Sequence, residues 1–390
     1  MKRQWLIILA ATVLFACMVL NVSATETRVT SMGQTGIFMY DNSNIVVFPG
    51  AVMRYGNEIV TELRIKDVES VFSAEVRLPM NSYMFGFNFN RPITLFDPGV
   101  GQSIVLNSTS DLYFGTKLAG NDLGVRVSLG RDGFTRDSIP FGPPRLEESA
   151  RYFEVAGGYS TDLYDASVSL ELPSVKSEEG NLTDEFSGNM IMLNGRYFYD
   201  YDEKMRFVPV VRFGFGSGSR KTDVGGGNPQ EETDYGLFSL NLGIGLNYQI
   251  SENSILIVAI DPYGYYRLKE DEKNIGEGTT TTTTLPRIYL GAETTIRPWI
   301  TGRIGANRAY QKVTEKYQPS GGTEFEQSYQ TSPYNVSFGL GLKFGRFLID
   351  LDINDGFFFE GPNFISGSFR DFSNRVSISY LFGNDERSKK

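Results

Sequence analysis

Apolar and polar side chains alternate one by one along several stretches of this chain. The pattern is clearest in residues 236–250 and recurs in residues 164–172, 334–344 and 375–382. Because successive side chains of a β-strand point to opposite faces, each stretch predicts a strand with one apolar face and one polar or small face. Runs of about ten residues exceed the five or six of an average globular strand and are typical of membrane-spanning barrels. In the first stretch the apolar face consists of Phe238, Leu240, Leu242, Ile244, Leu246, Tyr248 and Ile250.

Short and long connections between the predicted strands also alternate. Outer-membrane barrels show this asymmetry, with short periplasmic turns and long external loops. We therefore predict an all-β fold, a transmembrane antiparallel up-and-down β-barrel of about 14 strands, or 16 if residues 59–65 and 71–78 join the wall. The six consecutive threonines, Thr279–Thr284, are expected to form a flexible loop tip. The long polar connections are predicted at about 131–149, 175–187, 219–233, 269–283, 313–332 and 355–373.

The first 24 residues are predicted to be an export signal. Two basic residues precede an apolar run over residues 5–20, and small residues then end at Ala24, after which we predict cleavage. An uncleaved membrane anchor and lipidation at Cys17 are the alternatives. Beyond residue 20 no segment is apolar over the roughly 18 residues that a spanning helix needs. The exported chain is therefore expected to be either soluble or a closed barrel.

The composition excludes several classes of function. The chain has no histidine and one cysteine, which removes histidine-dependent nucleophile systems, histidine- or cysteine-ligated metals and a disulfide framework. The net charge of -9 argues against nucleic acid as a partner. We therefore expect no catalytic residues, no cofactor and no metal. The surplus of glycine and aromatic residues fits a wall with small residues facing inward and large ones facing lipid.

Charged residues of both signs fall on the polar faces of the predicted strands, where they would line the lumen of a barrel. Such a lining is wet or salt-bridged rather than apolar. It would either orient a polar or amphipathic solute or form an ion network that fills a closed lumen. The candidates are Lys117, Arg126, Glu154, Arg196, Arg206, Arg212, Glu293, Arg303, Lys343, Asp350 and Arg375.

The segment that precedes the first predicted strand contains Arg28, two nearby glycines, an Asp-Asn dipeptide and a Phe-Pro-Gly tripeptide. Glycines allow close packing on a wall, and Asp, Asn, Pro and Gly favour tight turns. An ordinary turn-rich lead-in is the alternative. The segment resembles the N-terminal hatch of the outer-membrane barrels related to FadL, the long-chain fatty-acid transporter, and to the PorV-type proteins, although it lacks the Asn of their Asn-Pro-Ala. The residues that carry the resemblance are Arg28, Gly33, Gly36, Asp41, Asn42, Pro49 and Gly50.

The resemblance implies a barrel whose lumen is partly occluded by its own N-terminus. We expect a leader at 1–24, a hatch at 25–58, a barrel at 59–382 and a polar periplasmic tail at 383–390. The expected function is passive transport of small hydrophobic or amphipathic solutes across the outer membrane, with the lipid of that membrane as the surroundings. The alternative is a structural or secretion-associated scaffold barrel without transport activity.

Overall fold

A computed structural model describes residues 25–65, 70–93, 106, 108–138, 143–224, 231–273, 275–353 and 373–382. The predicted leader, the predicted tail and nearly all of the predicted connection at 355–373 lie outside these residues. The described strands are β1 (Glu58–Ile65), β2 (Ser70–Met80), β3 (Tyr83–Pro92), β4 (Ser108–Leu118), β5 (Asn121–Arg136), β6 (Leu146–Ser160), β7 (Tyr164–Glu179), β8 (Leu182–Tyr197), β9 (Tyr199–Asp200), β10 (Met205–Asp223), β11 (Glu231–Ser251), β12 (Ser254–Glu272), β13 (Gly276–Arg297), β14 (Ile300–Pro319), β15 (Phe325–Thr331), β16 (Tyr334–Phe344), β17 (Phe347–Ile353) and β18 (Ser373–Leu381).

These strands form one closed antiparallel barrel. Neighbours in the chain pair with one another, and β1 closes the sheet by pairing with β18, with Glu58 opposite Leu381. The short β9 continues β8 along β10, and β15 continues β16 along β14, so the described part of the wall has 16 strands. The predicted all-β barrel is confirmed. The preferred count of 14 is corrected to 16, because residues 59–65 and 71–78 lie within β1 and β2, which complete the wall.

Most of the predicted long loops are instead extensions of the strands. β7 and β8 meet at a turn at residues 180–181, and β12 and β13 are separated by three residues, 273–275. Thr279–Thr284 lies inside β13 and pairs with both β12 and β14, so the expectation of a flexible loop tip was wrong. A run of identical residues has no alternation to detect, but the β-branched threonine suits a pleated sheet.

The outer surface of the barrel carries an apolar belt. On β10 the alternate outward residues from Phe207 to Phe215 are all apolar, and serines follow at Ser217 and Ser219. Nine residues of strand rise ~30 Å, which a strand tilt of about 40° reduces to a height of roughly 23 Å. Aromatic contacts lie toward both sides of the belt. Phe213, Phe215, Phe238 and Tyr265 lie in the half away from the short turns, and Phe347 packs on Tyr380 at the end where the short turns lie.

No helix among the described residues is long and apolar enough to cross a membrane.

Residues 25–57, here called the N-terminal segment, fill part of the space inside the barrel. The segment contains one short α-helix, α1 (Glu26–Ser31), and 3-10 helices at Thr35–Phe38, Asn42–Ile45 and Pro49–Arg54. Several of its apolar side chains are almost completely buried: Met32, Phe38, Ile45, Phe48 and Val52. Apolar residues therefore cover the belt outside and anchor the N-terminal segment inside, with the strands between them.

Candidate functional site

The candidate site is the lumen of the barrel together with the N-terminal segment that occupies it. Local sequence determines how this segment folds. Thr25 caps α1 by accepting a hydrogen bond from the backbone N–H of Arg28 through its side chain, at 3.1 Å. Asp41 caps the second 3-10 helix by accepting from the N–H of Ser43 at 2.9 Å. Pro49 begins the third, where its fixed φ suits the first turn of a helix.

Glycines of the wall provide recesses into which the N-terminal segment fits. A Cβ at Gly291 would lie 2.7 Å from the carbonyl oxygen of Met32, and one at Gly158 would lie 2.9 Å from the Pro49 ring. Phe38 packs in the same way against Gly243 and Gly245 on β11. Backbone contacts this close exclude every residue with a side chain. Several of the inward glycines, Gly158, Gly243, Gly245 and Gly291 among them, are therefore seats for the segment.

Gly33 shows why one glycine of the predicted motif is required. Its φ is +69°, a left-handed conformation, and a Cβ there would lie 2.6 Å from both the Ala306 nitrogen and the Leu290 oxygen. Its N–H donates to the Ser337 hydroxyl at 3.1 Å, and its carbonyl accepts from Asn307 at 3.3 Å. Gly36 is different, because it packs against the side chain of Val29 within the segment itself.

A buried chain of ion pairs ties α1 to the wall. Arg28 donates to Glu293 at 2.7 and 2.8 Å, Arg303 donates to the same carboxylate at 2.5 Å, and Arg303 also reaches Asp350 at 2.6 Å. Arg28 further pairs with Asp41 at 3.1 Å. Burial raises the pKa of the Asp41 carboxyl, and the guanidinium of Arg28 opposes that rise. Three predicted lumen residues and two predicted hatch residues thus belong to one network.

A second polar cluster lies between the N-terminal segment and β1 to β3. Glu26 pairs with Arg64 at 2.6 Å and with Arg375 at 3.3 Å. Asn42 donates to Glu58 at 3.2 Å, and Glu58 pairs with the fully buried Arg77. Glu26, Asn42, Arg64 and Arg77 border a cavity of about 40 Å³, which has room for about one water molecule. This cluster is a polar seam and not a ligand pocket.

Arg196 joins the opposite side of the segment to the wall. It pairs with Asp165 at 2.8 Å and donates to the backbone oxygens of Ile37 and Met39, both at 2.9 Å. Its guanidinium also lies 4.6 Å from the centre of the Phe48 ring. One side chain therefore fixes two of the 3-10 helices of the segment to β7 and β8.

Tyr40 marks the turn end of the lumen, the end at which the short turns and the described chain termini lie. Its ring stacks on Phe198 at 4.0 Å between centroids, with Arg54 at 5.1 Å and Arg206 at 4.9 Å from its own centre. Arg206 also pairs with Asp200 at 2.5 Å. These contacts hold Tyr40 of the N-terminal segment against the wall on this side.

At the other end of the lumen, the loop end, a charged layer and an apolar layer follow one another. Arg126 holds Glu154 through two bonds of 2.5 and 2.8 Å, and Arg91 holds Asp111. Tyr152 donates to Glu154 at 3.0 Å and forms the boundary with the apolar layer. The buried residues of that layer come from four strands and the β3–β4 connection: Leu106, Ala150, Tyr152, Val175, Phe186 and Tyr235.

One part of the lining is neither buried by the segment nor ion-paired. Arg212 points inward from β10 between Asn194 and Asn241, and among the described residues it has no ion-pair partner. On the same face, Gly214 lies opposite Ser239, and the side chains of Met192 and Ser239 pack over it. Within the described residues no group of acidic or cysteine side chains is arranged to hold a metal. The described part of the lumen thus offers small polar groups, the Arg212 guanidinium and the apolar layer to a solute.

The remaining predicted lining residues lie at the rim. Lys117 pairs with Asp122 at 2.8 Å but is 60% exposed, and Lys343 is half-buried on β16. Sequence reasoning missed Glu58 and Arg77, because β1 and β2 were only optional members of the wall. Alternation within residues 58–64 places Glu58, Glu62 and Arg64 on one face. This pattern was the signal from which Glu58 could have been predicted.

Comparison with known proteins gives only distant structural likeness. No family model and no curated protein matches this chain. The Pseudomonas putida toluene transporter TodX is 12% identical over 93% of this chain and 100% of its own, with a TM-score of 0.39. The ferric yersiniabactin uptake receptor FyuA from Yersinia pestis is 9% identical over 83% of this chain and 79% of its own, with a TM-score of 0.36. At these values the likeness carries no argument about function.

Proposed function

We propose that this protein is an outer-membrane barrel that passively transports small hydrophobic or amphipathic solutes, with residues 25–57 as its hatch. The observation that carries the proposal is the arrangement of the lumen. The N-terminal segment fills the lumen and contacts the wall through glycines and ion pairs, and an apolar layer lines the lumen at the loop end. The apolar belt of roughly 23 Å suits a bilayer core. A segment held by side-chain contacts, rather than by strand pairing, can leave without opening the sheet.

The route of a solute follows from the order of the layers. A solute that enters at the loop end first meets apolar side chains such as Phe186 and Val175 and then the Arg212 side of the lining. Below that point Met32 and Phe38 of the hatch fill the lumen. Passage toward the turn end therefore requires the hatch to move out of the lumen. A hatch that cannot move should block transport.

A disulfide that fixes the hatch tests this requirement. A Cβ at Gly115 on β4 would lie 2.6 Å from a γ-carbon of Val52 in the segment, and its nearest neighbours are all side-chain atoms, so Gly115→Cys with Val52→Cys places two thiols in reach. The only natural cysteine, Cys17, lies in the predicted leader. Cells with this double variant in the outer membrane would take up radiolabelled toluene or octanoate when the disulfide is reduced and much less when it is oxidised. Each single-cysteine variant is the control.

The proposal is wrong if uptake equals that of cells without the protein in both redox states. Equal uptake in the oxidised and reduced states, above that background, would leave a channel but remove the moving hatch.

The second candidate function is a scaffold or secretion-associated barrel. It is favoured by the length of β10 to β14, which continue well beyond the belt and present polar pleated surface there. Crosslinking of whole cells followed by purification should then recover a partner in constant ratio to the barrel. A protein that is recovered alone at every crosslinker concentration contradicts this candidate.

A further inference from the structure

Two arginines face each other across neighbouring strands on the outside of the barrel. Arg131 of β5 and Arg151 of β6 are directly opposite in the register. Their chain neighbours Ala150 and Tyr152 are buried inside, whereas both arginines are exposed. Directly opposite residues of antiparallel strands have Cβ atoms roughly 5 Å apart. The two guanidinium groups therefore share one small area of the outer surface.

This pairing is unfavourable unless an anion accompanies it. Like charges directly opposite destabilise a sheet. Across the described residues neither Arg131 nor Arg151 forms an ion pair or a side-chain hydrogen bond, whereas nearby basic residues do: Lys176 pairs with Glu178 at 2.5 Å and Arg145 with Glu147 at 3.1 Å. The chain thus provides carboxylates for its other cations in this region and leaves this pair without one.

The position of the pair indicates what the anion belongs to. Outward residues one step closer to the turn end are apolar and exposed, with Leu129 at 54% and Phe153 at 38%. On the next two strands at the same height, Ser174 of β7 lies opposite Arg151, and Ser187 of β8 lies opposite Ser174. The arginines thus lie at the edge of the apolar belt, with open hydroxyl-bearing surface beside them. That edge is at the loop end, which is the external side when short turns are periplasmic.

We infer that Arg131 and Arg151 bind the phosphate group of a lipid headgroup in the outer leaflet. Guanidinium groups bind phosphate with paired N–H···O bonds, and two of them balance the charge of close to −2 that a phosphate monoester carries. Acyl chains of the same lipid lie along Leu129 and Phe153, which free phosphate would not use. The inference rests on the outer-membrane location proposed above and not on transport.

Native mass spectrometry of the protein in detergent tests the site. The probes are diphosphorylated lipid A and the same lipid after enzymatic dephosphorylation. The wild type should retain the phosphorylated form, and Arg131→Gln with Arg151→Gln should weaken its retention roughly tenfold without changing retention of the dephosphorylated form. Arg145→Gln is the matched control, since it removes an exposed arginine at the same end that already has a partner.

The melting temperature of each variant, with and without lipid, shows whether the two arginines bind lipid or only stabilise the fold. Without added lipid, the double Gln variant should melt at the same temperature as the wild type or higher, because repulsion is removed. With phosphorylated lipid A, only the wild type and Arg145→Gln should gain stability. Equal retention of both lipids by wild type and double variant overturns the inference, as does equal stabilisation by inorganic phosphate alone. If the protein fails to enter bilayers at all, the proposed location fails instead.

Discussion

Gly305 of the barrel wall and Gly33 of the N-terminal segment approach each other so closely that neither has room for a Cβ atom. The contact joins the sixth residue of β14 to the residue that follows the C-cap of α1. The backbone atoms of Gly33 and Met32 occupy the place where a side chain of residue 305 would lie. A side chain on the wall therefore competes directly with the seat of the segment.

Gly305→Ala should displace the N-terminal segment while the barrel still closes. Overpacking of this kind costs about 1–3 kcal/mol, and the segment can move more easily than paired strands. Limited proteolysis should cut residues 25–57 faster in the variant, while heat-modifiable migration on a detergent gel is retained. Gly157→Ala is the control, because a Cβ there has nothing within 4 Å. Equal cleavage rates for both variants would contradict the seat.

Loss of the Glu293 carboxylate should release α1. Arg28 and Arg303 share this group, and their side chains are 7% and 1% exposed. Removing one partner of a buried ion pair costs about 3–5 kcal/mol when a charge is left unpaired. Here Arg28 keeps Asp41 and Arg303 keeps Asp350, so the cost is a part of that, but the link between the two arginines is lost. Glu293→Gln should therefore raise the rate of hydrogen exchange in α1, measured by mass spectrometry of the folded protein.

The ion pair of Lys117 and Asp122 provides the comparison for that variant. Because Lys117 is 60% exposed, Lys117→Gln should leave exchange in α1 unchanged. If Glu293→Gln protects α1 as well as the wild type does, the ion-pair chain does not hold the segment.

Arg196→Lys should loosen the segment despite keeping the charge. A lysine ammonium can meet Asp165 but cannot also reach the carbonyl oxygens of Ile37 and Met39 and lie flat on Phe48. Hydrogen bonds to charged groups contribute about 1.5–3 kcal/mol each. Tryptic cleavage after Arg54 should become faster in this variant than in Arg206→Lys, since Arg206 is at the rim and pairs with Asp200. The reverse order would assign the anchoring to the rim.

The alternation in the sequence predicted the wall of the barrel but not its height or its internal pairing. Residues 236–250 gave a correct strand because apolar and polar residues differ at every step. Thr279–Thr284 was misread because all six side chains are alike, so only pairing with β12 and β14 reveals the strand. Arg28 and Glu293 are 265 residues apart in the sequence. The position of a charged residue on a polar face does not show which distant residue it will pair with once the barrel closes.

Thr281→Pro tests the corrected reading of the threonine run. Thr281 pairs with Arg267 on one side and Thr314 on the other, and proline cannot donate to a ladder. Loss of a paired donor in the sheet costs about 1–3 kcal/mol, so the variant should unfold at lower denaturant concentration. Thr323→Pro, in an exposed non-strand position, should have little effect. A flexible loop would tolerate both substitutions equally.

An arginine in the middle of the apolar belt should destabilise the barrel in a bilayer. Leu242 is 39% exposed, points outward and lies opposite Val211, which is the central outward residue between Phe207 and Phe215. A cation at the midplane of a membrane barrel costs about 2–4 kcal/mol, and the cost falls to about 0–1 kcal/mol near the interface. Leu242→Arg should therefore lower the free energy of unfolding from lipid vesicles by that amount, whereas Thr314→Arg, outward beyond the belt, should not. Both variants add the same charge to the same outer face, and Leu242→Ala measures what loss of the leucine alone costs. A further loss in Leu242→Arg therefore reports depth in the bilayer, and equal stability of the two arginine variants would remove the membrane from the account of this fold.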